Sequence, residues 1–105
     1  MTVQEGEAAN AAVRGLCADL SSLLRGIGFR DLDSQLTGIM GIGSQYWDRL
    51  FGSPRPKDLH PFRQIDGVHK APSTPGDLLF HIRARRRDMC FELAAEIVSR
   101  LSGVA

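Results

Sequence analysis

The run Ala71–Arg87, APSTPGDLLFHIRARRR, constrains the fold more than any other stretch of the 105 residues. Pro72 and Pro75 hold the approach extended and withdraw two amide donors from any ladder. Gly76 frees the backbone for a turn. Leu78, Phe80 and Ile82 then alternate with Leu79, His81 and Arg83. That is the period of a strand with one apolar face. Beyond Ala84 the period changes to three and four: Cys90, Leu93, Ala94, Ile97, Val98 and Leu101 recur as on one side of a helix. The spacing predicts a proline-rich loop, a strand over Asp77–Arg83 and an amphipathic helix over about Arg86–Leu101.

Upstream, Glu7–Ile27 reads as a helix with Val13, Leu16, Cys17, Leu20, Leu24 and Ile27 on one face. Gly26 and Gly28 are stop signals for it. Leu36–Gly43 reads as a glycine-rich strand, with Leu36, Gly38, Met40 and Ile42 on one face and Ile39 and Gly41 on the other. Ser44 is a candidate N-cap for a short helix to Phe51, with Trp47, Leu50 and Phe51 as its apolar side and Gly52 ending it. A long connection, Ser53–Pro75, holds all five prolines, and loops of this length are often functional. Thr2–Gln4 reads as a strand remnant. The order of elements is a partial strand, helix, strand, short helix, loop, strand, helix. It predicts a single α+β domain over residues 1–105, a ferredoxin-like half with helices on one face of a small antiparallel sheet. In such a sheet the first strand sits between the third and the fourth.

Composition excludes several classes. The formal net charge of +1 gives no field for nucleic acid or an anionic membrane. No apolar run approaches the roughly 18 residues of a membrane span, and the start MTVQEGEAAN has no secretory pattern. Cys17 and Cys90 are too few for a disulfide framework. Their places on apolar stripes predict buried, reduced thiols in a cytoplasmic protein.

Four blocks in order, GFRDLDSQLTGIMGIGSQYWDRLFG, PRPKDLHPFRQI, GVHKAPSTPGDLL and TPGDLLFHIRARRRDMCFELA, resemble the N-terminal half of dye-decolourising (DyP-type) haem peroxidases, in particular their bacterial cytoplasmic branch. The resemblance implies a truncated dimeric α+β-barrel type, ferredoxin-like half. It implies haem b and peroxide-dependent oxidation of dyes and aromatic donors in the complete family protein. In that family the haem-ligating histidine lies in the C-terminal half, and a Gly-x-x-Asp-Gly motif with a later arginine serves the distal side. Neither matches a position here: in the string RQIDG, Arg63 stands where the first glycine belongs, so the aspartate's role does not pass to Asp66. The resemblance therefore implies scaffold without catalytic, cofactor-binding or metal residues, and no haem bound to this chain alone. The expected partners are a second copy or the C-terminal half of the family protein. A non-enzymatic self-association module is the alternative reading. A third reading, a small barrel haem protein akin to chlorite-dismutase relatives, is disfavoured for want of an axial ligand.

The remaining chemistry-bearing residues read as structural. His60 and His69 fall in the proline-rich loop and His81 on the less apolar face of a strand, none with ligand spacing to a partner. Arg83, Arg85, Arg86 and Arg87 form a basic cluster that suits a carboxylate or propionate. It reads more simply as a solvated junction balanced by Asp88 and Glu92. The run GIMGIGS, Gly38–Ser44, lacks the lysine and spacing of a phosphate loop and predicts close backbone packing instead.

Overall fold

The computed structural model describes residues 1–52 and 54–105. Ser53, the first residue of the expected long connection, lies outside the described residues. In chain order the elements are α1 (Glu7–Gly28), a 3-10 turn (Leu32–Ser34), β1 (Thr37–Ile42), α2 (Ser44–Phe51), β2 (Leu78–Arg83) and α3 (Arg87–Arg100). β1 and β2 pair antiparallel, from Thr37 opposite Arg83 to Ile42 opposite Leu78. The expected helices and both longer strands are therefore present within one or two residues of their predicted bounds.

The pleat sorts the strand residues as their alternation predicts. Leu78 is buried, Phe80 and Ile82 are half-buried, and Leu79, His81 and Arg83 are exposed. In β1, Met40 and Ile42 pack towards the core while Ile39 is exposed. Gly38 faces the helices: a Cβ there would lie 3.2 Å from both Leu24 Cδ2 and Leu93 Cδ2. A larger residue would press on both leucine side chains, so the glycine-rich run is a packing device, as its composition predicts. α1 and α3 lie together on this one face. Val13, Leu16, Leu93, Ile97 and Leu101 make up the fully covered centre.

Three expectations are corrected. The α3 stripe is rotated: Met89, Leu93, Ile97 and Leu101 are buried, Cys90 is half-buried and Val98 is exposed. Positions 89, 93, 97 and 101 follow a strict four-residue row, whereas the predicted stripe took its upper edge from Cys90, Ala94 and Val98. Cys17 is exposed, although its sulfur sits 3.6 Å from Met40 Sδ. Both cysteines are free. Finally, α1 ends at Gly28 but without a left-handed glycine cap: Phe29 caps it in the right-handed conformation, a 3-10 turn follows, and Gln35 takes the left-handed conformation at φ 51°.

Residues Met1–Gln4 form no named strand, yet their backbone occupies the place expected for the first one. The Met1 nitrogen donates to the Leu78 carbonyl at 2.7 Å and the Leu78 N–H donates back to the Met1 carbonyl at 3.0 Å. Such reciprocal exchange is the hydrogen-bonded pair of an antiparallel ladder. Val3 is buried and donates its N–H to Asp77 Oδ2. On the other side the Gln4 N–H donates to the Val104 carbonyl at 2.8 Å. The segment thus lies between β2 and the residues that follow α3, the central position of a ferredoxin-like sheet.

Candidate functional site

Polar groups converge on α2, and its two ends are treated differently. A helix leaves its last turn of carbonyls without intrahelical partners. Here the Asp48 carbonyl accepts from the Gly52 N–H at 3.0 Å. That of Arg49 accepts from Asn10 Nδ2 at 3.3 Å, and that of Leu50 from Arg14 Nη2 at 2.6 Å. Asn10, buried on α1, also accepts from the Tyr46 hydroxyl at 2.9 Å through its Oδ1. Gly52, at φ 73°, ends the helix as predicted. Arg14 places its cation where the helix dipole favours one, although nothing in its sequence position signals that role.

At the start of α2 the expected capping does not occur. Gly43 is the N-cap, Ser44 is the first helical residue, and no side chain bonds to the free amides. Gly43 is required here for another reason. Its N–H donates to the Asp77 carbonyl at 2.8 Å, and a Cβ on it would lie 2.0 Å from the Gly76 carbonyl oxygen. The proline-rich connection is thereby locked against the helix start, and between them lies a cavity of ≈ 290 Å³. Within that connection Ile65 and Ala71 exchange both backbone hydrogen bonds, at 3.0 and 2.9 Å. The apolar side of α2 is Tyr46 and Leu50, both buried, whereas Phe51 is half exposed against Trp47 at a ring separation of 4.5 Å. The sequence pattern missed Tyr46. The Trp47 indole N–H is the buried side-chain polar atom left without a partner among the described residues.

The other candidates separate from one another. His60 lines the cavity, with Nδ1 2.9 Å from the Pro61 carbonyl oxygen. His69 is exposed in the small turn between Ile65 and Ala71, and His81 is exposed on β2 opposite Ile39. Among the described residues no three His, Cys, Asp or Glu side chains group as metal ligands do. Asp66 is exposed in the same small turn and accepts from Gln64 Nε2 at 3.0 Å. The arginine cluster is a junction, as expected, but its balance is partly different. Arg86 bonds Asp31 at 2.7 Å and Asp88 at 2.6 Å. These bonds, that to Asp31 foremost, raise its pKa above the ordinary value. Glu92 instead pairs with Arg30.

Haem iron is held by an axial His, Cys, Met or Tyr in a cavity that can take the macrocycle. Pockets that enclose drug-sized ligands run to roughly 300–1,000 Å³, and the one His60 touches is ≈ 290 Å³ and open on one side.

Comparison with known proteins places this arrangement. The family profile described as "Dyp-type peroxidase, N-terminal" matches residues 1–105. The dye-decolorizing peroxidase of Rhodococcus erythropolis (strain PR4 / NBRC 100887) is 53% identical over 105 residues, 99% of this chain and 30% of that protein. The encapsulated DyP-type peroxidase of Mycobacterium smegmatis superposes with a TM-score of 0.90 at 55% identity, over 98% of this chain and 33% of that one. A DypB variant of Rhodococcus jostii RHA1, solved in complex with heme, gives 0.91 at 45% identity over 98% of this chain and 34% of that one. The chain thus spans about a third of the length of its relatives, in their N-terminal part. By sequence and by fold it belongs to the Dyp-type peroxidase family, as the family's N-terminal ferredoxin-like region.

Proposed function

We propose that this chain is the scaffold portion of a DyP-type peroxidase, a single ferredoxin-like domain that carries no catalytic, haem-binding or metal-binding residue of its own. The complete protein would use haem b and hydrogen peroxide to oxidise dyes and other aromatic donors, and would work in the cytoplasm. The observation that carries the reading is a conjunction: near-complete superposition on peroxidases three times longer, with His60, His69 and His81 exposed and apart. When haem is bound elsewhere in the complete protein, it supplies the redox chemistry. The part of this chain would be to present the outer sheet face, with Ile39 and Leu79 exposed, to the remainder, on a sheet backed by the packing of Gly38 against Leu24 and Leu93.

That face supports self-association too. Successive residues of a strand turn their backbone groups to opposite sides. With Leu78 bonded to Met1, Phe80 and Ile82 direct theirs to the edge away from β1, unpaired among the described residues. Exposed Ile39 and Leu79 lie together on the outer sheet face. Open edges and apolar patches recruit further strands, so a second copy is the partner we propose for the isolated chain.

Titrating hemin into the purified chain, with the visible spectrum as readout, tests the scaffold reading. The expected result is no saturable one-to-one Soret shift and no peroxide turnover above that of free hemin. A stoichiometric shift lost in His81→Ala or His60→Ala would overturn it. Size exclusion with light scattering at tens of micromolar tests self-association, and a sharp monomer peak would refute it.

A further inference from the structure

We propose, resting on the self-association reading and going beyond it, that two copies join edge to edge through β2 into one continuous antiparallel sheet, with a two-fold axis between their His81 residues. The register follows from which backbone groups are taken. The Gly43 N–H bonds the Asp77 carbonyl, and the Met1 backbone exchanges both bonds with Leu78. Odd-numbered residues of β2 thus direct their backbone groups to β1, and even-numbered ones direct theirs to the far edge. Leu78 is already served there. The N–H and C=O of Phe80 and Ile82 remain, without partners among the described residues. A second β2 running antiparallel uses both residues of each copy, within the strand, in one register: Phe80 opposite Ile82 and Ile82 opposite Phe80. Both pairs are then of the bonded kind and make four hydrogen bonds. The midpoint falls on His81, which faces its own copy as a non-bonded pair with Cα atoms about 4.5 Å apart.

The side chains beside that edge suit the same partner. A groove of ≈ 370 Å³ runs along Phe80 and Ile82 and is walled by Ala94, Ile97 and Val98 of α3, with no Asp, Glu, Lys or Arg lining it. A two-fold axis perpendicular to the sheet keeps both copies of α3 on one face. The inward-facing Phe80 and Ile82 of each copy then lie beside the other copy's groove. On α3, Phe91, Ala94 and Val98 form one row at three- and four-residue spacing. Phe91 is 75% exposed and Val98 58%, so this apolar row flanks the edge with little cover from its own chain. On the outer face Leu79 comes opposite the copy's Arg83, whose aliphatic stem can lie along it. Charge does not oppose the pairing. The two Arg83 residues stand four residue steps apart, roughly 14 Å along the strand, beyond the screening length of about 8 Å at physiological salt. The chain's net charge is only +1.

Cysteine cross-linking of the purified chain tests it, in a Cys17→Ser, Cys90→Ala background because both native thiols are free. His81 is exposed, so His81→Cys leaves the fold in place. Cα atoms of a non-bonded pair lie within the range a disulfide spans. Under mild oxidation His81→Cys should form the linked dimer about tenfold faster than Leu79→Cys, which the register sets opposite Arg83 rather than opposite itself. Val98→Lys puts a charge in the groove and should raise the dimer dissociation constant about tenfold in light scattering. Exchange of the Phe80 and Ile82 N–H with solvent should slow as the unsubstituted chain is concentrated, a readout that needs no variant to fold. A chain that self-associates, yet links no faster at 81 than at 79 and exchanges those two amides equally at all concentrations, would overturn this arrangement and leave the self-association reading standing. A monomer at every concentration would overturn both.

Discussion

The two ends of the eight-residue α2 stand in opposite states. At the C-terminal end the carbonyls of Asp48, Arg49 and Leu50 are taken by Gly52, Asn10 and Arg14. At the N-terminal end the amides of Ser44, Gln45 and Tyr46 are taken by nothing among the described residues, and a cavity lies against them. One end leaves carbonyl acceptors and the other N–H donors without intrahelical partners. The difference is that α1 reaches one end with the side chains of Asn10 and Arg14, whereas no side chain bonds to the amides at the other. A short helix anchored firmly at one end can keep the other open, because most of its stability comes from the anchor and from buried Tyr46 and Leu50 rather than from capping.

That contrast can be broken from either side. The largest effect is expected at the open end. Gly43→Ala sets a Cβ against the Gly76 carbonyl at a separation no real atom pair tolerates. Backbone must move, so about 3 kcal/mol of stability should be lost, read from the denaturant midpoint. A loss under about 1 kcal/mol would mean that the loop is not locked there. At the anchored end, Asn10→Ala removes the acceptor of the buried Tyr46 hydroxyl and the donor to the Arg49 carbonyl together. About 2 kcal/mol should go.

Tyr46→Phe removes only one of those bonds and should cost about 1 kcal/mol at neutral pH. It also gives a pH signature. Burial lifts the Tyr46 phenol above its ordinary value of 10.0, with the nearby Arg49 cation pulling the other way. The folded state then keeps its proton where the unfolded chain has lost it. Stability should therefore fall as pH rises from about 10 through the raised folded value, and Tyr46→Phe should lack that alkaline loss. Equal alkaline slopes in the two proteins would show that the phenol titrates freely. The smallest effect belongs to the exposed Asp48–Arg55 pair beside the same helix end. Arg55→Ala should leave the thermal midpoint where it is, and a clear drop would mean that the anchor extends into the loop.

Much of the fold was legible because it follows from period. The alternation Leu78–Phe80–Ile82 and the three-four spacing after Ala84 named a strand and a helix, and both are present. Gly38 and Gly43 were legible as close packing because glycine is the residue that lets backbone and side chains approach. What failed, failed at the margins of stripes. Cys90, Ala94 and Val98 fit a helical face as well as Met89 does, and only the position of the sheet chose between them. Tyr46 was missed because a lone tyrosine in an eight-residue helix has no periodic partner to mark it. Arg14 read as a solvent residue because its acceptor, the Leu50 carbonyl, is 36 positions away.

The amino-acid sequence by itself determined the order of elements, the inward faces of both strands, the glycines at close approach and, through four ordered blocks, the family. These properties are local: they depend on neighbours within a turn or a pleat, or on residue identity alone. The tertiary structure decided how α3 is rotated on the sheet, which end of α2 is satisfied, and that Met1–Gln4 lies between β2 and Val104. Those are matters of which distant groups meet. A hydrogen bond between Asn10 and Arg49, or a contact between Gly43 and Gly76, depends on the whole chain being closed around it, and no periodicity in the sequence records that closure.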